Sequence, residues 1–176
     1  MRLFFASFPD SESRRNASAA VQALKLPATS RCLPPENYHI TWIFLGEVPD
    51  DKAEAVREVG DAQRIGCFSL RFDRWEYWHK ARAVVASTSD RPEALLRLRA
   101  SLAAGLTQRG VAFDDKPLRP HITVARKLAQ APVLTDLSEF GCTLRTFCLV
   151  SSATAAAGSV YTVVDTWALL DTAAGR

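Results

Sequence analysis

The sequence predicts an α+β fold built on antiparallel sheets, and three observations carry that prediction. Apolar runs of strand length alternate with amphipathic helical segments, the connections between them are short, and no low-complexity tract or linker divides the chain. With 176 residues there is enough chain for one buried core, so a single domain spanning residues 1–176, or two small lobes that share an interface, is expected.

Residues 2–8 are apolar and aromatic and end at Pro9, which reads as a first strand. Ala17, Ala20, Val21 and Leu24 then recur at helical spacing after a polar, cap-rich start. The stretch Pro27 to Asn37 holds three prolines and reads as a loop, followed by a β-rich run from Tyr38 to Val48. Asp51 and Glu54 form a capping-box pattern that opens a helix over residues 52–63, with Val56 and Val59 inward.

Two further strands are expected at Cys67 to Arg74, where Phe68, Leu70 and Phe72 alternate with polar residues, and at Arg82 to Thr88. They read as a hairpin, with Trp75 to Lys80 as its connection and with Trp75, Tyr77 and Trp78 packed on its own sheet. A third helix has a capping box at Asp90 and Glu93, Pro92 in its first turn, Leu95, Leu98, Leu102 and Leu106 on one face, and Gly110 as its stop. A short strand at Val111 to Phe113, a β-rich run from Pro120 to Ala125, and strands at Cys142 to Val150 and Val160 to Leu170 complete the reading. Ser151 to Ser159, small and polar, reads as a mobile loop between the last two.

A hydrophobic fraction of 48% and a charged fraction of 23% exclude a disordered chain and a multispanning membrane protein. The N-terminal apolar run is too short for a signal peptide or a membrane span, which points to a cytoplasmic protein. Four scattered cysteines without a Cys-x-x-Cys pair read as reduced, buried structural thiols. A net charge of +3 is compatible with a polyanionic partner but far below that of a protein coating nucleic acid by charge alone.

The chemistry lies in the histidines. There are three, and two of them, His39 and His121, begin the tripeptide His-Ile-Thr at the head of a β-rich run. In a strand, residues i and i+2 share a face, so each histidine shares a face with Thr41 or Thr123 while Ile40 and Ile122 point into packing. Two such strands can bring two imidazoles and two hydroxyls to the walls of one cleft, a fit for a tetrahedral phosphate. An imidazole near its ordinary pKa of about 6.5 serves either as proton acceptor or donor. Arg126 offers a planar fork for the phosphate, although strict alternation puts it on the face opposite His121, so a bulge or strand end is needed to bring it round. His79, between aromatics and a lysine, reads as a surface residue, and Arg14 and Arg15 as a solvated helix face. The scheme needs no metal or cofactor, and His-x-Thr lacks the paired histidines or clustered carboxylates of a zinc hydrolase.

The motifs Pro34-Pro35-Glu36-Asn37-Tyr38-His39-Ile40-Thr41 with Phe44-Leu45-Gly46-Glu47, and Arg119-Pro120-His121-Ile122-Thr123-Val124-Ala125-Arg126, together with the opening Arg2-Leu3-Phe4-Phe5-Ala6, carry a resemblance. The sequence resembles the two-histidine phosphoesterase superfamily, and within it the RNA 2',3'-cyclic phosphodiesterases, also called 2'-5' RNA ligases. The resemblance covers most of the chain, with Cys32 where the family often has tryptophan and Trp42 bulkier than usual. It implies a bilobal fold with a pseudo-two-fold axis, a central cleft lined by antiparallel sheets, helices outside, and one motif from each lobe. It also implies His39 as proton donor to the leaving ribose oxygen, His121 as acceptor activating water, and Thr41, Thr123 and Arg126 as phosphate contacts. The implied substrate is RNA or an oligonucleotide with a cyclic phosphate end, and a monomer is expected. Joining of RNA ends through a 2'-5' linkage, cleavage of another cyclic phosphate, and a non-catalytic RNA-binding module are the alternatives at the same cleft.

Overall fold

The computed structural model describes residues 1–155 and 158–171. In chain order the elements are β1 (Arg2–Ser7), α1 (Ser11–Ala23), β2 (Arg31–Cys32), β3 (Ile40–Glu47), α2 (Ala53–Asp61), β4 (Phe68–Phe72), β5 (Arg74–Trp78), β6 (Ala83–Ser87), α3 (Glu93–Gln108), β7 (His121–Arg126), β8 (Phe140–Leu144), β9 (Thr146–Ala155) and β10 (Gly158–Ala168). The strands make one four-stranded sheet in the order β10-β9-β1-β3, a second in the order β2-β7-β6-β5, and a two-stranded sheet β4-β8. Every paired strand is antiparallel, so the class is α+β, as the alternating apolar runs predict. The first sheet carries the strand that follows His39 and the second carries His121.

Local chemistry explains the helices. Asp10 caps α1 by accepting from the Ser13 amide at 2.7 Å, and Ala17, Ala20, Val21 and Leu24 are all buried. On α3 the leucine stripe Leu95, Leu98, Leu102 and Leu106 is wholly buried. Its C-terminus closes as a Schellman motif: Gly110 at φ +62 donates to the Thr107 carbonyl at 3.1 Å, and Val111 donates to the Leu106 carbonyl at 3.0 Å. Helix α2 buries Val56 and Val59 and lays Gly60 against the Trp167 ring of β10, where a Cβ would stand 2.3 Å from the nearest ring atom.

Several sequence expectations are corrected. Neither capping box forms: a 3-10 turn at Asp50–Lys52 precedes α2, whose N-cap Lys52 makes no side-chain cap bond, and Asp90 instead accepts from the Arg71 amide at 2.7 Å. Pro92 is the N-cap of α3 rather than a residue of its first turn. The predicted hairpin is absent, because β4 pairs with β8 and the expected connection is itself a strand, β5, paired with β6. Long-range packing decides this, since the alternating Phe68, Leu70 and Phe72 match the buried face of Phe140, Cys142 and Leu144.

The proline-rich loop contains β2, which pairs with β7, and a 3-10 turn at Pro35–Asn37. Val111 to Phe113 carries no strand, because Val111 is spent closing α3. The expected strand Cys142 to Val150 breaks at Arg145 into β8 and β9, which serve different sheets. Of the expected loop at Ser151 to Ser159, residues up to Ala155 belong to β9 and those from Gly158 to β10, while 156 and 157 lie outside the described residues. Cys142 and Cys148 are buried thiols as expected, but Cys32 is exposed.

Candidate active site

The two His-Ile-Thr tripeptides open equivalent strands. His39 immediately precedes β3 and follows the Pro35–Asn37 turn, and His121 is the first residue of β7 after Pro120. In both, the residue two positions earlier turns its carbonyl onto the imidazole: the Nδ1–H of His39 donates to the Asn37 oxygen at 2.7 Å, and that of His121 to the Arg119 oxygen at 2.7 Å. A carbonyl can only accept, so each Nδ1 holds a hydrogen and each Nε2 is left as the working nitrogen.

Both histidines line one cleft of about 240 Å3, together with Thr41, Thr123 and Arg126. All five residues singled out in the sequence therefore meet. Arg126 gets there through a bulge: Val85 stands opposite Thr123 and Val84 opposite Ala125, which leaves Val124 as an extra residue. Val124 and Ala125 are consequently both buried, and Arg126 returns to the face of His121. A matching bulge lies in β3, where Ala6 opposes Thr41 and Phe5 opposes Ile43, leaving Trp42 extra. Phe44, as far beyond His39 as Arg126 is beyond His121, thus lines the same cleft. The bulky Trp42 is buried, and its indole N–H donates to Ser7 Oγ at 2.9 Å.

The surroundings of the two rings differ. His39 sits among aromatics, edge-on to Tyr161 at 4.8 Å and near Phe4 at 5.3 Å and Phe8 at 5.8 Å. Burial pushes its pKa down to about 4, against the Asn37 hydrogen bond, and the charges of His121 and Arg126 add to the lowering. His121 packs on Trp78 at 4.3 Å, and Arg119 lies over the same indole at 4.9 Å. Burial lowers His121 as well, with Arg126 and Arg119 on the same side and the Arg119 carbonyl and Glu76 opposing. Trp78 is therefore a wall of the site rather than mere hairpin packing, whereas Trp75 is buried and His79 exposed. Tyr161, Arg2 and Phe44 also line the cleft, and Trp78 lines the compartment beside it, although none belongs to the His-Ile-Thr motifs. Arg2 and Phe4 share one face of the first strand by alternation, but nothing local marks Tyr161.

Two compartments flank the cleft. One, of about 230 Å3, is basic and takes in Arg31, Arg126, Lys127 and Tyr161. The other, also of about 230 Å3, borders His121 and is walled by Phe44, Trp78, Pro117 and Leu118. Among the described residues no three His, Cys, Asp or Glu side chains converge as a metal would require.

The sequence profile of the 2'-5' RNA ligase superfamily matches residues 8–156. The chain belongs to that superfamily. Among curated relatives, this superfamily member is 32% identical to an RNA 2',3'-cyclic phosphodiesterase of Thermus thermophilus, over 96% of this chain and 90% of the relative. It is 28% identical to an RNA 2',3'-cyclic phosphodiesterase of Escherichia coli, over 96% of both. Among solved structures, E. coli LigT complexed with 3'-AMP superposes with a TM-score of 0.85 at 28% identity, covering 96% of this chain and 97% of that one. The T. thermophilus protein TT0787 superposes with a TM-score of 0.83 at 30% identity, covering 98% and 100%.

Proposed function

We propose that this protein hydrolyses RNA 2',3'-cyclic phosphate ends to 2'-phosphomonoesters by metal-independent acid and base catalysis on His39 and His121. The observation that carries the reading is the matched pair of imidazoles, each pinned through Nδ1 to a backbone carbonyl and each lining one cleft with Arg126. The activity of the curated relatives, at about 30% identity over most of the chain, agrees with it.

In this reading each lobe of a single bilobal domain lends one motif. His121 Nε2 takes a proton from water as the water oxygen bonds to phosphorus. The P–O3' bond breaks, and His39 Nε2–H gives its proton to the departing O3'. Thr41 and Thr123 donate hydroxyls to the non-bridging oxygens, and the Arg126 fork neutralises charge building on them. The free protein favours the neutral form of both rings, so a bound phosphate anion supplies the negative charge that keeps the donor proton in place.

The test is incubation, with EDTA present, of an RNA oligonucleotide ending in a cyclic phosphate. A 2'-phosphate product is expected, with His39→Ala and His121→Ala each slower by about 100-fold or more. Full activity in either variant, or loss of activity on chelation, would refute the reading.

One observation favours a second use of the site. The compartment walled by Phe44, Trp78 and Leu118 opens beside His121, where the nucleophile enters, and suits the end nucleoside of a second strand. A 5'-hydroxyl there replaces water, and the same proton transfers yield a 2'-5' linkage. Competition between water and a 5'-hydroxyl oligonucleotide, followed by product sizing, separates the two outcomes.

A further inference from the structure

The charged groups acting on His39 are His121 and Arg126, both cationic when protonated, whereas His121 also has a carboxylate neighbour, Glu76. Glu76 lies on β5 opposite Val85, and Val85 opposes Thr123, so Glu76 projects from the sheet face that carries His121 and Thr123. Three donors converge on it. Arg119 Nη2 reaches Oε2 at 2.6 Å, Trp78 Nε1 reaches Oε2 at 2.9 Å, and Ser87 Oγ reaches Oε1 at 2.8 Å. Each of these donors bears on His121: the Arg119 carbonyl accepts its Nδ1–H, the Trp78 ring packs on it, and Ser87 is its partner across the ladder.

We propose that Glu76 is a positioning residue for His121, fixing the imidazole in one tautomer and one orientation through Arg119 and Trp78. The inference rests on the reading of His121 as the proton acceptor. The network has the logic of an orienting carboxylate behind a catalytic base, relayed here through a guanidinium whose own backbone oxygen holds the ring. The carboxylate is itself kept charged: burial alone would raise its pKa, but the hydrogen bonds from Trp78 and Ser87 and the charges of Arg119 and Arg74 outweigh burial and hold it below its ordinary value. Among the described residues, the charges around His121 are Glu76 from β5, Arg119 and Arg126 along its own segment, His39 and Arg2 across the cleft, and Asp114 and Lys116 in the flanking compartment. Glu76 is the carboxylate whose charge raises the proton affinity of His121, so its loss makes His121 a weaker base.

The experiment is a histidine ring NMR titration of the wild type, Glu76→Gln and Glu76→Ala, with kcat and KM measured on an RNA ending in a cyclic phosphate. In Glu76→Gln, which keeps the shape and loses the charge, His121 is expected to titrate at lower pH while His39 moves less. Its nitrogen shifts should show a mixed tautomer, and kcat should fall about tenfold, the lower end for loss of an orienting partner, with KM unchanged. An unchanged His121 titration and tautomer in folded Glu76→Gln overturns the proposal, as does a loss of activity that follows melting temperature alone. Should Glu76→Ala fail to fold, Glu76→Gln decides. The ring titration needs no substrate, so a wild type without turnover refutes the hydrolase reading while the positioning of His121 is still decided by NMR.

Discussion

Arg126 acts on the site in two opposed ways, which makes it the most informative single residue. Its charge lowers the proton affinity of both histidines, and its fork is placed to hold the phosphate. Arg126→Ala should therefore raise both histidine titrations by NMR while kcat/KM falls by about 100-fold, the scale of removing one preorganised donor. A fall in activity without any movement of the titrations would separate the two effects. His39 and His121, both lowered in the free protein, also fix the pH dependence. The kcat/KM bell, which reports the free enzyme, should be centred below pH 6.5, and the kcat bell should lie at higher pH because a bound anion raises both rings. Rate profiles across pH 4 to 9 check this, and a kcat/KM optimum at or above neutrality would contradict it.

At the scale of elements, two glycines make opposite demands on the same helix rules. Gly110 ends α3 at φ +62, where an added Cβ would meet Lys52 Nζ at an ordinary 3.8 Å, so Gly110→Ala adds no clash but strains the left-handed turn, at a cost of about 1–2 kcal/mol. Gly60 lies inside α2, where alanine ordinarily gains about 1 kcal/mol. Here the added methyl meets Trp167, which is held by a 2.6 Å bond to Asp61 and by stacking on Phe147 at 5.1 Å. Gly60→Ala is therefore expected to destabilise, since overpacking costs about 1–3 kcal/mol, and urea denaturation of both variants tests the pair. The leucine stripe and the Gly110 stop were legible because they depend on residues a turn apart. The failed capping boxes were not, because Asp90 was claimed by the Arg71 amide, which is remote along the chain.

For the whole molecule, the two half-buried imidazoles couple folding to pH. A folded pKa of about 4 for His39 lies below its unfolded value, so between about pH 4 and 6.5 the unfolded chain binds more protons than the folded one. Stability is full above that window and is lost as pH falls through it. His39→Phe should flatten the slope of unfolding free energy against pH between 7 and 5, measured by urea midpoints, whereas an unchanged slope would remove His39 from the balance. Sequence by itself determined the α+β class, the amphipathic helices, and the two His-Ile-Thr strands with Thr41, Thr123 and Arg126 as companions. All but Arg126 follow from periodicity or spacing within a few residues; Arg126 is marked by its place after the second motif and by the family resemblance, against strict alternation. Only the tertiary structure decided that β4 pairs with β8, that Pro27 to Asn37 contributes a strand to β7, and that bulges at Trp42 and Val124 turn Phe44 and Arg126 into the cleft. Partner choice and register are set by which buried faces fit across long separations, and the Tyr161 and Glu76 contacts depend on that fit, so no local pattern records them.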